Sequence, residues 1–197
     1  MSVEESPSGS APITVALLLT LICVLSLTIA APPDPHAVPA DGPDDGMSVL
    51  RRAARAENEV AYTGVRRVIG AEPDGRVDLR VINRPGEGLL LAPVGEETQA
   101  LVVSSSQALD SLDARMLDML RDTYAVTDTG RTELRGREAH LVEALRADDS
   151  VAGRFWVDTE TDLLIGRTIY ERSEEVAIST RLVELELGGG PWPRHVS

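Results

Sequence analysis

Apolar and polar residues alternate in short runs over most of the chain between residues 61 and 187. In the run Arg76–Ile82, Val77, Leu79 and Val81 alternate with charged residues, which predicts a β-strand with one buried face. About eight or nine such strands are predicted, and the short polar turns between them favour an antiparallel sheet. The predicted strands are Ala61–Ile69, Arg76–Ile82, Gly88–Val94, Thr98–Val103, Tyr124–Thr127, Glu138–Arg146, Val151–Val157, Leu163–Glu171 and Val176–Leu187.

Two segments have the period of an amphipathic helix instead. Residues 47–61 place Met47 and Leu50 on one face and three arginines on the other, and Asp44 and Asp45 suit the positive end of this helix. Leu109–Tyr124 repeats the pattern, with Ser106 or Asp110 as the expected N-cap. These elements predict an α+β fold in which two helices pack on a curved antiparallel sheet, a half-barrel.

Several predicted strands are apolar at neighbouring positions, for example at Leu141 with Val142 and at Leu163 with Leu164. A sheet with one solvated face does not require this pattern. It favours a sheet that is buried on one side and covers a cavity or a partner on the other.

In the last strand, the apolar positions change phase. Val176, Ile178 and Leu182 share one parity, whereas Val183 and Leu185 share the other. An extra residue in the strand restores the alternation, so we expect a β-bulge near Leu182.

The segment RFWVDTETDLLIGR, residues 154–167, predicts a β-hairpin with the polar turn Asp158–Asp162. It contains the single Phe of the chain and one of its two Trp residues. Phe155 and Trp156 are adjacent in a strand, so their side chains point to opposite faces of the sheet. We expect one of them in the helix-covered core and the other on the opposite surface or in a groove.

The N-terminal region has a different composition. Residues 11–31 carry no charge and are long enough to span a bilayer, which favours an uncleaved membrane anchor over a signal peptide. Residues 32–46 are rich in proline and aspartate, which predicts an extended spacer. The expected organisation is therefore a tail (1–10), an anchor or signal peptide (11–31), a spacer (32–46), a folded domain (47–187) and a flexible tail (188–197).

Composition limits the classes of partner. The formal net charge is −13, with 19 basic residues against 32 acidic ones, so nucleic acid is an unsuitable partner. Cys23 is the single cysteine, and this excludes an intrachain disulfide and a cysteine-rich zinc site.

The sequence contains none of the common catalytic or phosphate-binding motifs. His140 falls on a predicted strand with no nucleophile at a meaningful spacing. Asp158, Glu160 and Asp162 imitate the start of a calcium loop, but Leu163 occupies the position of the required glycine. We therefore expect a hairpin turn there, no metal, no cofactor and no enzymatic activity.

Four stretches in the same order resemble the N-terminal domain of the MucB/RseB family, which has the lipoprotein-carrier (LolA/LolB-like) fold. They are AYTGVRRV (61–68), YAV (124–126), GRTELRGREAHLVEAL (130–145) and RFWVDTETDLLIGR (154–167). The folded domain that they span covers about 140 residues.

The resemblance implies a half-barrel around an apolar groove closed by helices, in a protein that acts outside the cytoplasmic membrane. Together with the anchor expected from residues 11–31, it implies a single-pass membrane protein that senses envelope state or regulates a sigma-factor pathway through an anti-sigma factor or another envelope protein. The alternative is a carrier-like protein that binds a lipid or a lipoprotein acyl chain. The expected groove residues are Tyr62, Leu79, Val81, Phe155, Trp156, Leu164 and Tyr170.

Overall fold

The computed structural model describes residues 45–71, 75–95, 101–103 and 111–190. These residues form two helices and nine strands. The helices are α1 (Gly46–Glu59) and α2 (Ala114–Thr123). The strands are β1 (Tyr62–Gly70), β2 (Arg76–Arg84), β3 (Gly88–Pro93), β4 (Leu101–Val103), β5 (Ala125–Leu134), β6 (Arg137–Leu145), β7 (Val151–Asp158), β8 (Leu164–Tyr170) and β9 (Val176–Leu187).

The nine strands form one curved antiparallel sheet in the order β4-β3-β2-β1-β9-β8-β7-β6-β5. Two meanders, β1–β4 and β5–β9, are joined where the first strand pairs with the last. The predicted α+β fold, with an antiparallel sheet and two helices, is confirmed for the described residues.

Each side chain in a strand belongs to one of two faces. We call the face that bears Val142 and Phe155 the helix-side face, because both residues pack in a core cluster with Leu50 and Ala53 of α1. The other face, which bears Leu141 and Trp156, is the outer face. Direct cross-strand partners share a face, so the strand register assigns the other residues.

Helix α1 begins one residue before the predicted start, because Asp45 caps it by accepting a hydrogen bond from the backbone N–H of Ser48. Gly46, which we predicted as the end of the spacer, is the first helical residue. Leu50 and Ala53 are fully buried, while Arg51 and Arg55 are exposed as expected.

Helix α2 is shorter than predicted. Residues 111–113 are not helical, because the helix begins after Asp113, whose Oδ1 accepts a hydrogen bond of 2.7 Å from Met116 N. Leu112, before the cap, and Leu117, in the first turn, both pack in the helix-side core, an arrangement called a hydrophobic staple. Ser106 and Asp110, the two predicted caps, lie outside the described residues.

Strand β5 extends seven residues beyond its predicted end, to Leu134. Residues 128–133 include no large apolar side chain and are mostly exposed because β5 is at the edge of the sheet, so no apolar alternation marks them. A register shift occurs between Asp128 and Arg131, and Gly130 N donates to Asp128 Oδ1.

The predicted bulge in β9 is confirmed at Val183. Arg66 pairs with Leu182, while the preceding residue, Val65, pairs with Glu184, so Val183 is the extra residue. Gly64 lies beside this bulge, where an added Cβ would collide with the carbonyl oxygen of Glu184. The close backbone approach therefore accounts for the glycine in the Tyr62-Thr63-Gly64 stretch.

Several expectations concern residues that are not described: the membrane anchor, nearly all of the spacer, residues 72–74, residues 98–100 and the tail from residue 191. They stay predictions. In the described part of the chain, neither helix is long and apolar enough to cross a membrane.

Candidate functional site

The hairpin formed by β7 and β8 places its two aromatic residues on opposite faces, as the strand parity predicts. Phe155 is 1% exposed and lies in the helix-side core beside its cross-strand partner Val142. Trp156 is half-buried on the outer face, between Leu141 on β6 and Gly166 on β8. Phe155 therefore serves the core.

The seven predicted groove residues do not share one surface. Tyr62, Leu79, Val81, Phe155 and Leu164 lie on the helix-side face and are buried. Trp156 and Tyr170 lie on the outer face, because their positions in β7 and β8 have the opposite parity. A groove on the helix-side face therefore excludes these two residues.

Tyr170 belongs to a polar cluster on the outer face. The guanidinium of Arg154 lies 5.6 Å from the centre of the Tyr170 ring, and its Nε donates to Glu143 at 2.7 Å. These contacts give Tyr170 a structural role in joining β6, β7 and β8.

The helix-side face of β1–β4 and of the end of β9 is mainly apolar, with Arg66 and Asn83 as buried polar residues, and we call its apolar residues the distal apolar face. Helices α1 and α2 pack mainly over β5–β8. The core cluster that contains Tyr62 and Val81 also includes residues of β6 and β8, and among the described residues α1 adds to it only Ala56 and, just past its end, Val60. The distal apolar face comprises Tyr62, Leu79, Val81, Leu89, Leu91, Leu185 and two more exposed residues at its rim, Leu101 and Leu187.

The rim of this face is exposed, whereas its centre is not. Leu101 and Leu187 are 50% and 52% exposed, but Val81 and Leu89 are almost completely buried. A large exposed apolar side chain is informative when it continues an apolar surface, as both leucines do. The arrangement is suited to an apolar contact.

Buried polar residues lie between the two halves of the helix-side face. Arg66 and Arg167 are each 5% exposed, and Arg66 Nη2 donates to the hydroxyl of Tyr62 at 3.2 Å. Thr180, opposite Arg167 in the register, is also buried. Sequence reasoning missed these residues, although Arg66 shares its parity with Tyr62 and Val68 and that parity marked it as inward-facing.

Asn83 fixes the end of α1 against the distal apolar face. Its Nδ2 donates to the carbonyl oxygens of Glu57 and Val60 at 2.9 and 2.8 Å, and Asn83 itself is 1% exposed. In the register it lies between Tyr62 and Leu89. No sequence pattern indicated this role, because a single Asn near the end of a strand has many possible functions.

The acidic turn of the hairpin is a structural feature. Asp158, whose side chain is 2% exposed, accepts two hydrogen bonds from Arg137 at 2.7 and 2.9 Å and two more from Thr161. Burial by itself raises the pKa of Asp158, but the hydrogen bonds from Arg137 and Thr161 outweigh it and the pKa is lowered. Asp162 contacts Arg52 of α1 at 3.3 Å.

His140, the other residue considered for chemistry, also makes a contact that joins two strands. His140 Nδ1 lies 2.9 Å from Asp128 Oδ2, in the neighbouring edge strand. Within the described residues, no three His, Cys, Asp or Glu side chains are grouped so that they could hold a metal ion.

Comparison of the sequence with models of protein families gives no match, and comparison with curated proteins gives none either. Solved structures are similar to the chain. The MucA/MucB complex of Pseudomonas aeruginosa matches with a TM-score of 0.46 and 16% identity over 75% of this chain and 59% of that one. A LolA superfamily protein from Nitrosomonas europaea matches with a TM-score of 0.31 and 11% identity over 76% and 95% of the two chains.

An uncharacterised conserved protein from Thermus thermophilus has a TM-score of 0.50 and 9% identity, over 75% of this chain and 93% of that one. This chain spans less than two thirds of the MucB chains that it matches. At such identities a structural likeness is evidence of a common fold and of nothing more. The chain therefore shares its fold with the Thermus protein.

Proposed function

We propose that this protein is a non-enzymatic binding domain of the MucB/RseB type that acts outside the cytoplasm. It binds an envelope protein, such as an anti-sigma factor, through the distal apolar face and thereby senses envelope state or regulates a sigma-factor pathway. In this proposal, residues 11–31 anchor the protein in the membrane.

Two lines of reasoning support the proposal. The four stretches that resemble the MucB/RseB family occur in the family's order. The polar side chains that would suit catalysis are instead engaged in structural contacts, as with Asp158 and Arg137, or His140 and Asp128.

The observation that carries the proposal is the exposed apolar rim of the distal apolar face. Leu101 and Leu187 extend an apolar sheet surface to the solvent at the half of the sheet away from α2. A protein partner would cover both leucines at once. Burial of apolar area at such a rim is the usual source of binding free energy in protein interfaces.

Photocrosslinking in the native host tests this function. A photoreactive phenylalanine replaces Leu101, Leu187 or, as a control, Arg55 on the exposed side of α1 in the full-length chain. We expect the first two positions to capture the same envelope protein and position 55 to capture none of it. Identical products from all three positions, or no product from positions 101 and 187, would refute the proposal.

The alternative function is binding of a lipid or a lipoprotein acyl chain. It is favoured by the run Leu89–Ala92, in which four consecutive residues of β3 are buried, so that both faces of this strand are apolar. Native mass spectrometry of the full-length chain in nonionic detergent, incubated with a fatty acid, tests this alternative. Uptake that decreases in Leu101→Glu supports it, and no uptake by the wild-type chain excludes it.

A further inference from the structure

A row of residues crosses the outer face of the sheet, perpendicular to the strands. In the register, Arg67 of β1 lies between Asp78 of β2 and Arg181 of β9. Arg181 is followed by Gly166 of β8, and the row continues on β7 and β6. We call this the outer row; its residues are Asp78, Arg67, Arg181, Gly166, Trp156 and Leu141.

The cationic end of the outer row contains two arginines side by side. Arg67 forms a bidentate ion pair with Asp78 at 2.8 and 3.0 Å, and Arg76 contacts the same carboxylate at 3.1 Å. Arg181 is exposed and pairs with no carboxylate in the part of the chain that the structure describes. The charge of Arg67 is compensated by Asp78, so Arg181 is the arginine of the outer row that has no carboxylate partner among the described residues.

The other end of the outer row is apolar. An added Cβ at Gly166 would lie 2.8 Å from Leu134 Cδ2 and 3.2 Å from Trp156 Cε3, so both side chains close over the glycine. Trp156 and Leu134 are half-buried and pack in part against a buried apolar cluster of the chain itself. Together with half-buried Leu141, their exposed parts form a small apolar surface, the apolar shelf. Neighbouring strands are about 4.8 Å apart, so this shelf begins about 10 Å from Arg181, the length of about three residues of extended chain.

We propose that the outer row binds an extended, acidic segment of a partner protein. One or two carboxylates of the segment contact Arg181 and Arg67, and an apolar side chain about three residues further along packs on Trp156. The segment lies on the opposite side of the sheet from the distal apolar face. It is therefore a second contact, which does not depend on the proposed function.

Charge favours a narrow peptide over a broad anionic surface. The chain as a whole carries a net charge of −13, which repels an anionic bilayer or a nucleic acid. Glu184 and Glu186 lie on the same face, one and two rows from Arg67 and Arg181, and exposed Arg80 shares the row of Glu184. The cations of this face are therefore interrupted by carboxylates and do not form a broad continuous patch. A single extended segment can occupy the outer row and avoid both glutamates.

The test uses a fluorescein-labelled peptide of sequence Ser-Glu-Glu-Gly-Ser-Leu-Gly-Ser and a second peptide in which both Glu are Gln. Binding to the full-length chain in nonionic detergent is measured by fluorescence anisotropy at an ionic strength of about 0.01 M, where electrostatic screening is weak. The variants are Arg181→Glu and, with the same change of charge on the exposed side of α1, Arg55→Glu.

We expect the Glu peptide to bind and the Gln peptide to bind at least about tenfold more weakly. Arg181→Glu should abolish this difference, whereas Arg55→Glu should preserve it. Arg181→Glu should also keep or raise the thermal unfolding temperature, because it sets a carboxylate opposite Arg67. Loss of binding in a chain that is at least as stable as the wild type separates a binding role from a structural one.

Three results would overturn the proposal. The first is that the wild-type chain does not bind the Glu peptide at low ionic strength. The second is that both variants weaken binding equally, which would mean that binding depends only on the total charge of the chain. The third is that vesicles of phosphatidylcholine with phosphatidylglycerol bind in a way that depends on Arg181 while the peptide does not bind. This result would mean that the outer row contacts a membrane surface.

Discussion

The indole of Trp156 lies against the backbone of Gly166, its direct cross-strand neighbour on the outer face of the sheet. A Cβ at position 166 would be 3.2 Å from Trp156 Cε3 and 2.8 Å from Leu134 Cδ2. Because residue 166 has no side chain, the indole of Trp156 on β7 can lie close to the backbone of β8.

The first prediction concerns this contact. Gly166→Ala should lower the free energy of unfolding by about 1 kcal/mol, because the end of the Leu134 side chain must rotate and Trp156 must move by a fraction of an ångström to admit the methyl group. Gly70→Ala is the matched control, since the contact of its Cβ within the described residues is with Gly75 O at an ordinary 3.6 Å. Urea unfolding followed by tryptophan fluorescence measures both. Equal effects of the two changes would contradict the packing argument.

Gly64 should tolerate substitution less than Gly166. Its added Cβ would collide with the carbonyl oxygen of Glu184, a backbone atom held by the β9 bulge, whereas the obstacles at Gly166 are side chains that can rotate. We expect Gly64→Ala to cost about 3 kcal/mol or more, and to reduce the yield of folded protein. Circular dichroism and thermal unfolding of the two variants show which substitution destabilises the fold more. A milder effect at Gly64 than at Gly166 would refute the steric explanation.

Much of the fold could be predicted because the relevant residues alternate in polarity. The phase change around Leu182 located the bulge at Val183 to within one residue. The end of β5 could not be predicted, because residues after Thr127 lie in an exposed edge strand where polar side chains are stable at every position. The start of α2 was predicted too early because Leu112 fits the helical spacing of the later apolar residues. In the structure Leu112 precedes the N-cap Asp113 and packs in the core from outside the helix.

The candidate site was less predictable than the fold. Parity showed that Phe155 and Trp156 point apart, but only the position of α1 shows that Phe155 faces the core. Arg66 has an inward parity, yet two adjacent arginines suggest an exposed segment, and its burial depends on β9 and β1 pairing. Contacts between residues distant in the sequence decided each of these cases.

Asn83 should contribute strongly to the attachment of α1. Asn83→Ala removes two buried hydrogen bonds to the carbonyl oxygens of Glu57 and Val60, so we expect a loss of about 2–3 kcal/mol in the free energy of unfolding. Asn58→Ala is the control: its amide also donates to a helix carbonyl, that of Ala54, but in an exposed position. The control should change stability by less than about 0.5 kcal/mol. If both variants unfold at the same urea concentration, the hydrogen bonds of Asn83 to the end of α1 do not stabilise the fold.

The ion pair of Asp158 with Arg137 should make stability depend on pH in the acid range. The pKa of Asp158 is lower in the folded protein, so its contribution is present above the unfolded value of about 3.9 and decreases as the pH falls through the folded value. At pH 7, Asp158→Asn should be about 1.5–3 kcal/mol less stable than the wild type. As the pH falls below about 4 the gap should narrow, because the unfolded chain takes up the proton first, and it should close once the pH is below the folded-state pKa of Asp158. Urea unfolding at a series of pH values measures the difference, and a constant gap would exclude Asp158 as its source.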